Sequence, residues 1–485
     1  MNKLNPVDAG LAGVVVFAFV CVFVYSWKAA LGFPFAIEYE GPMYWAVSQL
    51  AAGQNIYDLS QLSAFPYAVI TYPPLFMLLS AVVFKLSIVG QAFTALRLVS
   101  VVATIISIYL FYRILRTDGC GVLEGIGGAA YFFGFTPVFL WANIGRPDAL
   151  MVMFVLASME RFVTFRQSEQ VSGGKGRLVD VALAGVLMAL ACFTKQTAIV
   201  GVASVCLFLL TVKKFKALFL YGGSFALLFA VLAGAAQMVS GGFIANMTIF
   251  GTTPWSQEMM WRYLHFMSDG DTYRMEILVV VLLYCLIFKK QNITETERLP
   301  YIFLAASFAQ MMYMFGLPGS NGNHAILPFL AWSWWLALKL TTLPRLFKNV
   351  VVACSLLGIW TLAAMVPSII AGMPKNDDVL QTVNWKDQLV LSEDPYINRL
   401  TESKPAMIDC AVFTSIWQRQ PQRLVELRTE INDLMFAAIV INCQDVEGKR
   451  FFWPPEVIDS IKQRYRPIGE CNGNGLCQKV FVPKI

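Results

Sequence analysis

The sequence predicts a polytopic α-helical membrane protein that ends in a small α/β unit outside the bilayer. Three observations predict it. Of 485 residues, 57% are hydrophobic and only 14% are charged, with a mean hydropathy of +0.60, a balance that belongs to membrane chains. Long apolar segments recur from residue 9 to residue 372, separated by short basic clusters, and beyond that point the composition turns polar. The net charge of +6 would suit a nucleic-acid partner, but the Lys and Arg residues fall between apolar segments rather than along one surface. They are orientation signals, and no nucleic acid is expected.

The first apolar run, from about Ala9 to Trp27, reaches the roughly 20 residues that a helix needs to cross a bilayer. It is longer than a signal-peptide core and no small-residue cleavage site follows, so it reads as a retained helix. Further segments lie near 73–91, 97–115, 120–142, 148–165, 178–194, 197–212, 217–239, 276–288, 301–316, 325–338 and 349–372. The basic clusters are Lys3; Arg113 and Arg116; Arg161, Arg166, Lys175 and Arg177; Lys213, Lys214 and Lys216; Lys289 and Lys290; and Lys339, Arg345 and Lys348. All belong on the cytoplasmic side. Counting 73–91 as a span splits them between sides, whereas leaving it out brings them together. That segment opens with Tyr72-Pro73-Pro74 and carries Lys85, so it is assigned to the first external loop, 32–96, as an interfacial or re-entrant helix. The expectation is about eleven spans with the N-terminus inside, a membrane unit over 1–372 and an extracytoplasmic α/β unit over 373–485. In the latter, LMFAAIVINC and QKVFVPKI are strand-like and PEVIDSIKQRY is helix-like.

This arrangement places Glu38, Glu40, Asp148, Lys195 and His324 on one external face. Ionisable groups gathered at a membrane boundary mark a candidate site. Each has an ordinary alternative. Glu38 and Glu40 are also what a solvated loop would carry. Asp148, in NIGRPDAL, suits the N-terminal turn of the next helix, with Arg146 as a surface partner. Lys195, in CFTKQTAIV, suits a snorkelling helix end, yet it lies between two short apolar segments, and such a break is tolerated mainly where it lines a cavity. His324, in GLPGSNGNHAILP, also reads as a simple loop residue, and His265 has no constellation around it.

The acid of the first loop, then YWAVSQLAAGQNIYD, TYPPL, an Arg opening the next helix, RPD, TKQT and finally GSNGNH together resemble the GT-C membrane glycosyltransferases. The branch most similar holds protein O-mannosyltransferases, aminoarabinose transferases and lipopolysaccharide galacturonosyltransferases, and the likeness runs over about residues 36–340. The resemblance implies a bacterial inner-membrane enzyme with its site on the extracytoplasmic face. Its donor would be a polyprenyl-phosphate sugar and its acceptor a glycan, a lipid or a protein. It maps the first-loop acid, four residues before a Tyr, onto Glu40 ahead of Tyr44, and maps Asp148, Lys195 and Asn323 with His324 onto the later site positions. Tyr44 and Tyr72 join Asn323 and His324 as substrate contacts. The family more often has an Asp-Glu pair where this chain has Glu40-Gly41, which leaves the share of Glu38 open.

The chemistry asks for the same residue types. Sugar transfer from a lipid phosphate to a hydroxyl needs a base for the acceptor proton, and a carboxylate serves; Glu40 is the first candidate, with Glu38 and Asp148 beside it. The leaving phosphate needs cations, for which Lys195, Arg97, Lys85 and Arg146 are the candidates. A single base implies direct displacement with inversion at the anomeric carbon, and the sequence leaves a two-step route open beside it. Some relatives with two loop acids bind a divalent cation, so a divalent metal stays open, but acids are few here and none is expected to be obligatory. No zinc spacing, nucleotide-phosphate glycine loop or Ser-His-Asp pattern is visible, so a nucleotide-sugar donor is disfavoured. The competing class is a lipid or sugar transporter or flippase; such proteins often carry two-fold repeats with matching broken helices, and none is visible. Trp255, Trp261 and Tyr263 in the 241–274 loop read as an interface belt or a lid. Of the four C-terminal cysteines, Cys410, Cys443, Cys471 and Cys477, the last two, at the ends of CNGNGLC, are the candidate disulfide in an oxidising compartment, the alternative being four free thiols.

Overall fold

The computed structural model describes residues 6–32, 40–62, 64–172, 176–248, 255–265, 294–317, 320–342, 358, 360, 362, 378–381, 384–409, 413, 420–448, 453–473 and 476–484. The apolar segments fold as helices: α1 Pro6–Gly32, α2 Glu40–Ala51, α3 Leu75–Lys85, α4 Ala92–Thr117, α5 Val122–Phe133, α6 Thr136–Asn143, α7 Pro147–Val171, α8 Leu178–Cys192, α9 Ile199–Thr211, α10 Phe215–Ser240, α11 Phe243–Thr248, α12 Glu295–Phe315 and α13 Ile326–Thr342. Residues 257–265 are helical as well. Local chemistry sets the boundaries. α7 begins at Pro147 straight after an extended Arg146, where a missing N–H costs nothing. α12 begins with a capping box, in which Thr294 and Glu297 each accept the other's backbone N–H. α10 ends at Gly241, whose φ of 69° suits only glycine comfortably.

α4 and α10, of 26 residues each, are long and apolar enough to cross a membrane, and α5 with α6, bent by 74° at their junction, form a third such passage if the pair is one span. α3, with 11 residues, rises about 16 Å, well short of a hydrocarbon core of about 30 Å. Among the described residues, α1, α4, α5/α6, α7, α8, α9, α10, α12 and α13 form the bundle. α7 packs between α4 and α8, α8 lies on α10, and α12 lies on α9 and α13. The core is aromatic, with Phe111, Phe132, Phe162, Phe208, Tyr221 and Trp334 all buried. α10 buries only Ala217 and Tyr221 and turns Phe219, Leu227, Val231, Met238 and Val239 outward, a surface that belongs against lipid. Segment 276–288, and 349–372 apart from residues 358, 360 and 362, lie outside the described residues.

Among the described residues, the ion pairs of the bundle lie at its two ends. Where α4, α7 and α13 finish and α8, α10 and α12 begin, ion pairs join the helices. Arg113 and Arg161 meet Glu160 at 2.8 and 3.1 Å, Lys339 meets Glu297 at 2.6 Å and Lys214 meets Glu169 at 2.5 Å. Arg166 pairs with Asp118, which also accepts the Trp334 indole N–H at 2.8 Å. Residues from four of the basic clusters thus share one end of the bundle.

After the bundle comes a five-stranded sheet. Its strands are β1 Leu389–Ser392, β2 Lys404–Pro405, β3 Ala438–Asn442, β4 Tyr465–Gly473 and β5 Leu476–Pro483, in the order β2-β1-β3-β5-β4. β1 is parallel to β2 and β3, and β5 is antiparallel to β3 and β4. Period-two alternation divides β3: Ile439 and Ile441 join Leu427, Ile431, Val457 and Ile461 on one face, while Ala438 and Val440 join Trp385, Val390 and Val480 on the other. The sheet also reaches back to the first loop, where Tyr67 bridges to Met407 and its hydroxyl donates to Glu430 at 3.0 Å.

The disulfide differs from the expected one. Cys477 pairs with Cys443, not with Cys471. The register explains it: β3 and β5 run antiparallel with Asn442 opposite Gln478, which brings the next residue of each strand end together, whereas the β4–β5 ladder sets Cys471 against Gln478 and Cys477 against Asn472. Non-reducing peptide mapping should therefore recover a Cys443–Cys477 link, and Cys443→Ser should lower the stability of the sheet unit by about 2–4 kcal/mol. A Cys471–Cys477 peptide would overturn the pairing.

Candidate active site

Glu40 is the first residue of α2, where the helix dipole favours an acid. Its carboxylate is wholly buried and forked by Arg97 from the first turns of α4, with Nε donating to Oε1 at 3.0 Å and Nη2 to Oε2 at 2.6 Å. Such a fork is the strongest form of the pair. The backbone N–H of Gly145 also donates to Oε1. Only glycine permits that approach, because a Cβ at 145 would lie 2.6 Å from Leu96 Cβ and 3.0 Å from Glu40 Oε1. Both oxygens of Glu40 are thus bonded in this state.

The same stretch that brings Gly145 to Glu40 leads directly into α7 and Asp148. Asp148 is fully buried; its Oδ1 accepts the Lys195 ammonium and the Asn323 amide at 3.1 Å. Lys195 sits at an extended break between α8 and the short 3₁₀ turn Gln196–Ala198. Two glutamines fix that break from its sides: Gln196 donates to the Thr71 carbonyl at 2.6 Å and Gln310 to the Thr197 carbonyl at 2.9 Å. Arg146 donates to the Tyr72 hydroxyl at 2.6 Å. The Tyr72 ring lies 5.1 Å from the Arg146 guanidinium and 5.9 Å from the Lys195 ammonium, inside cation–π range. Next to Asn323, in the 3₁₀ turn Gly322–Ala325, burial pushes the His324 imidazole well below its usual range, with Lys195 and then Arg146 adding to the effect. Behind Asp148, a cavity of about 20 Å³ lined by Thr104, Ser107 and Trp141 has room for one water.

Glu40, Arg97, Arg146, Asp148, Lys195, Tyr72, Asn323 and His324 are thereby gathered at one end of the bundle, opposite the basic clusters. Tyr44 lies one turn into α2, stacked on Phe93 at 4.3 Å. Lys85, on the last turn of α3, is exposed, and no ion pair among the described residues joins it to this group. Glu38 lies outside the described residues. Sequence reasoning missed Gly145, Gln196 and Gln310, although Gly145 directly precedes the RPD motif and Gln196 lies inside TKQT. Asn246, the asparagine of one sequon, is buried and bonded to the Gly242 carbonyl at 3.0 Å. Trp255 donates to the Tyr313 carbonyl at 3.1 Å, tying its loop to the end of α12.

Among the described residues, Arg97, Arg146 and Lys195 are gathered here, cations of the kind that an anionic ligand needs. Glu40 and Asp148 are each committed to a cation, a poor donor set for a hard divalent ion. Among the described residues, the one group of ligand atoms close enough to share a metal is Cys443, Glu470 and Cys477, and its two cysteines form the disulfide.

The sequence matches the model of Glycosyltransferase family 87 over residues 70–367. No curated protein sequence matches it. Among solved structures, it is similar to ArnT from Cupriavidus metallidurans bound to undecaprenyl phosphate, at 11% identity over 97% of this chain and 98% of that one, with a TM-score of 0.63. It is similar to the Archaeoglobus fulgidus oligosaccharyltransferase at 10% identity over 95% and 73%, TM-score 0.51. It is also similar to the mycobacterial arabinofuranosyltransferase AftD at 13% identity over 96% of this chain and 40% of that one, TM-score 0.52. The shared fold is that of the GT-C membrane glycosyltransferases: a helical membrane bundle followed here by a small C-terminal sheet.

Two substitutions probe the site's construction. Gly145→Ala should lower stability by about 1–3 kcal/mol, since neither Leu96 nor Glu40 has room to withdraw. Lys195→Met should cost about 3–5 kcal/mol by stranding Asp148, and adding Asp148→Asn should recover part of it. Unfolding of the purified protein in detergent reads both; a double variant no better than Lys195→Met would show that the pair is not coupled.

Proposed function

The chain belongs to glycosyltransferase family 87, and from that premise we propose that it moves a sugar from a polyprenyl-phosphate donor to a hydroxyl of an extracytoplasmic glycan, lipid or protein. The observation that carries this reading is the convergence of Arg146, Lys195 and Tyr72 beside two buried carboxylates at one end of a membrane bundle. The undecaprenyl phosphate bound to the similar ArnT structure supports the donor class. The proposal includes eleven spans, a cytoplasmic N-terminus, a catalytic membrane unit over 1–372, an extracytoplasmic unit over 373–485 and residence in a bacterial inner membrane. The shared end of the basic residues supports that orientation.

In this mechanism Arg146 and Lys195 hold the donor phosphate, and Tyr72, already bonded to Arg146, orients it. The acceptor oxygen attacks the anomeric carbon as the carbon–oxygen bond to the phosphate breaks, and the electron pair leaves with the phosphate, where the cations stabilise it. The acceptor proton passes to Glu40. Because both Glu40 oxygens are bonded to Arg97 and Gly145, the base must first loosen. The incoming phosphate gives Arg97 a competing anion, so donor binding itself frees Glu40. One displacement of this kind inverts the anomeric centre, and no obligatory metal takes part. Asp148 aims Lys195. Glu38 is the second carboxylate of the same loop, Lys85 is a phosphate contact at the membrane surface, and Tyr44, Asn323 and His324 line the sugar.

Membranes incubated with a panel of radiolabelled polyprenyl-phosphate sugars should show donor-dependent transfer, and Glu40→Gln should reduce it about 10²–10⁴-fold. Undiminished transfer by Glu40→Gln would remove Glu40 as the base. In a separate assay of orientation, Arg113→Cys should react with impermeant thiol reagents only from the cytoplasmic side and Lys85→Cys only from outside. The reverse pattern would invert the topology.

A further inference from the structure

Glu40 opens α2, and the next residue is Gly41, also buried. The surface against Gly41 does not come from the membrane bundle. A Cβ at position 41 would fall 2.7 Å from Pro395 Cδ and 3.3 Å from Asp394 Oδ1. Both residues are buried and follow β1 in the sheet unit, with Pro395 opening the short helix Pro395–Leu400 that packs on α2. The contact is stiff on the sheet side. Pro395 Cδ is closed onto its own backbone nitrogen and cannot rotate away. Asp394 is fixed by the Ser392 hydroxyl, which accepts its N–H at 3.1 Å and donates to its carbonyl at 3.0 Å, and by the Ile397 N–H at 3.0 Å.

The contact continues along both helices. Arg399 lies 5.0 Å from the centroid of the Tyr44 ring, one turn further into α2. Ile408, beyond β2, is buried in the same cluster as Met43 and Trp45 of α2. α2 is therefore gripped from two sides: Arg97 and Gly145 hold its first side chain from the bundle, and residues 394–408 hold its backbone from the sheet.

We propose that Asp394 and Pro395 are positioning residues of the transferase site, setting the start of α2, and hence Glu40, from the far end of the chain. This rests on the transfer reading above. It assigns the C-terminal unit a part in the geometry of catalysis, and it explains why position 41 carries no side chain. Alanine is a better helix former than glycine, so Gly41→Ala by itself would firm α2. A loss in that variant reports the collision with Pro395.

The test uses the full-length protein as Gly41→Ala, Pro395→Ala and the double variant, with two readouts. The first is kcat and donor KM in the transfer assay. The second is hydrogen exchange of peptides covering 40–51 without substrate. Gly41→Ala should lower kcat about 10²-fold, the scale expected of a misplacement near 1 Å, with a smaller change in KM and faster exchange in α2. Pro395→Ala alone should lose less, and the double variant should regain most of both losses. Wild-type kcat and exchange in Gly41→Ala, or a loss that Pro395→Ala does not relieve, would overturn the proposal. If the wild type transfers no polyprenyl-phosphate sugar, the functional reading fails instead, and the exchange arm still decides the contact.

Discussion

A carboxylate buried at the edge of a bilayer needs a cation against it, and Glu40 meets that need through the fork with Arg97. Much of the site hangs on this pair. It ties the first loop to α4, and through the Gly145 N–H it ties both to the turn ahead of α7. Three residues further on, Asp148 makes the second pair with Lys195 and so draws in the break between α8 and α9. Asn323 then brings the turn ahead of α13 to the same carboxylate. Five segments far apart in sequence are thus joined through two acids.

Much of this was legible in the sequence because membrane partition is a one-dimensional constraint. Hydropathy marks where helices run, and basic residues mark which ends lie together, so the sharing of one face by Glu40, Asp148, Lys195 and His324 follows from counting segments. Pairing is a different matter. Nothing in hydropathy says that Glu40 would take Arg97 rather than leave it open for a phosphate, because that depends on how closely α2 and α4 approach. Gly145 was silent for a similar reason: its glycine is required by a side chain 105 positions earlier. The cysteines misled because their spacing suggested a loop, whereas strand register between β3 and β5 decided the partner.

The two ends of the bundle carry charge differently. At the basic end Arg113 and Arg161 stand about two-fifths exposed over a buried Glu160, while the Arg166–Asp118 and Lys339–Glu297 pairs are largely buried. At the site end Arg97 and Lys195 are both nearly inaccessible. Exposed ion pairs contribute little to stability, so Arg113 and Arg161 read as orientation, whereas under the proposed transfer the site-end cations surround the place where charge develops.

The hairpin at Lys195 is built from short helices. α8 and α9 have 15 and 13 residues, or about 22 and 20 Å of rise, beside an α10 of 26 residues and about 39 Å. Even so, Phe193 and Gln196 on either side of Lys195 meet Phe243 and Met247 of α11, just past the end of α10. Lys195, 3% exposed, is thus kept from water by other segments of the chain, which is what lets a charge stand at a break in an apolar hairpin.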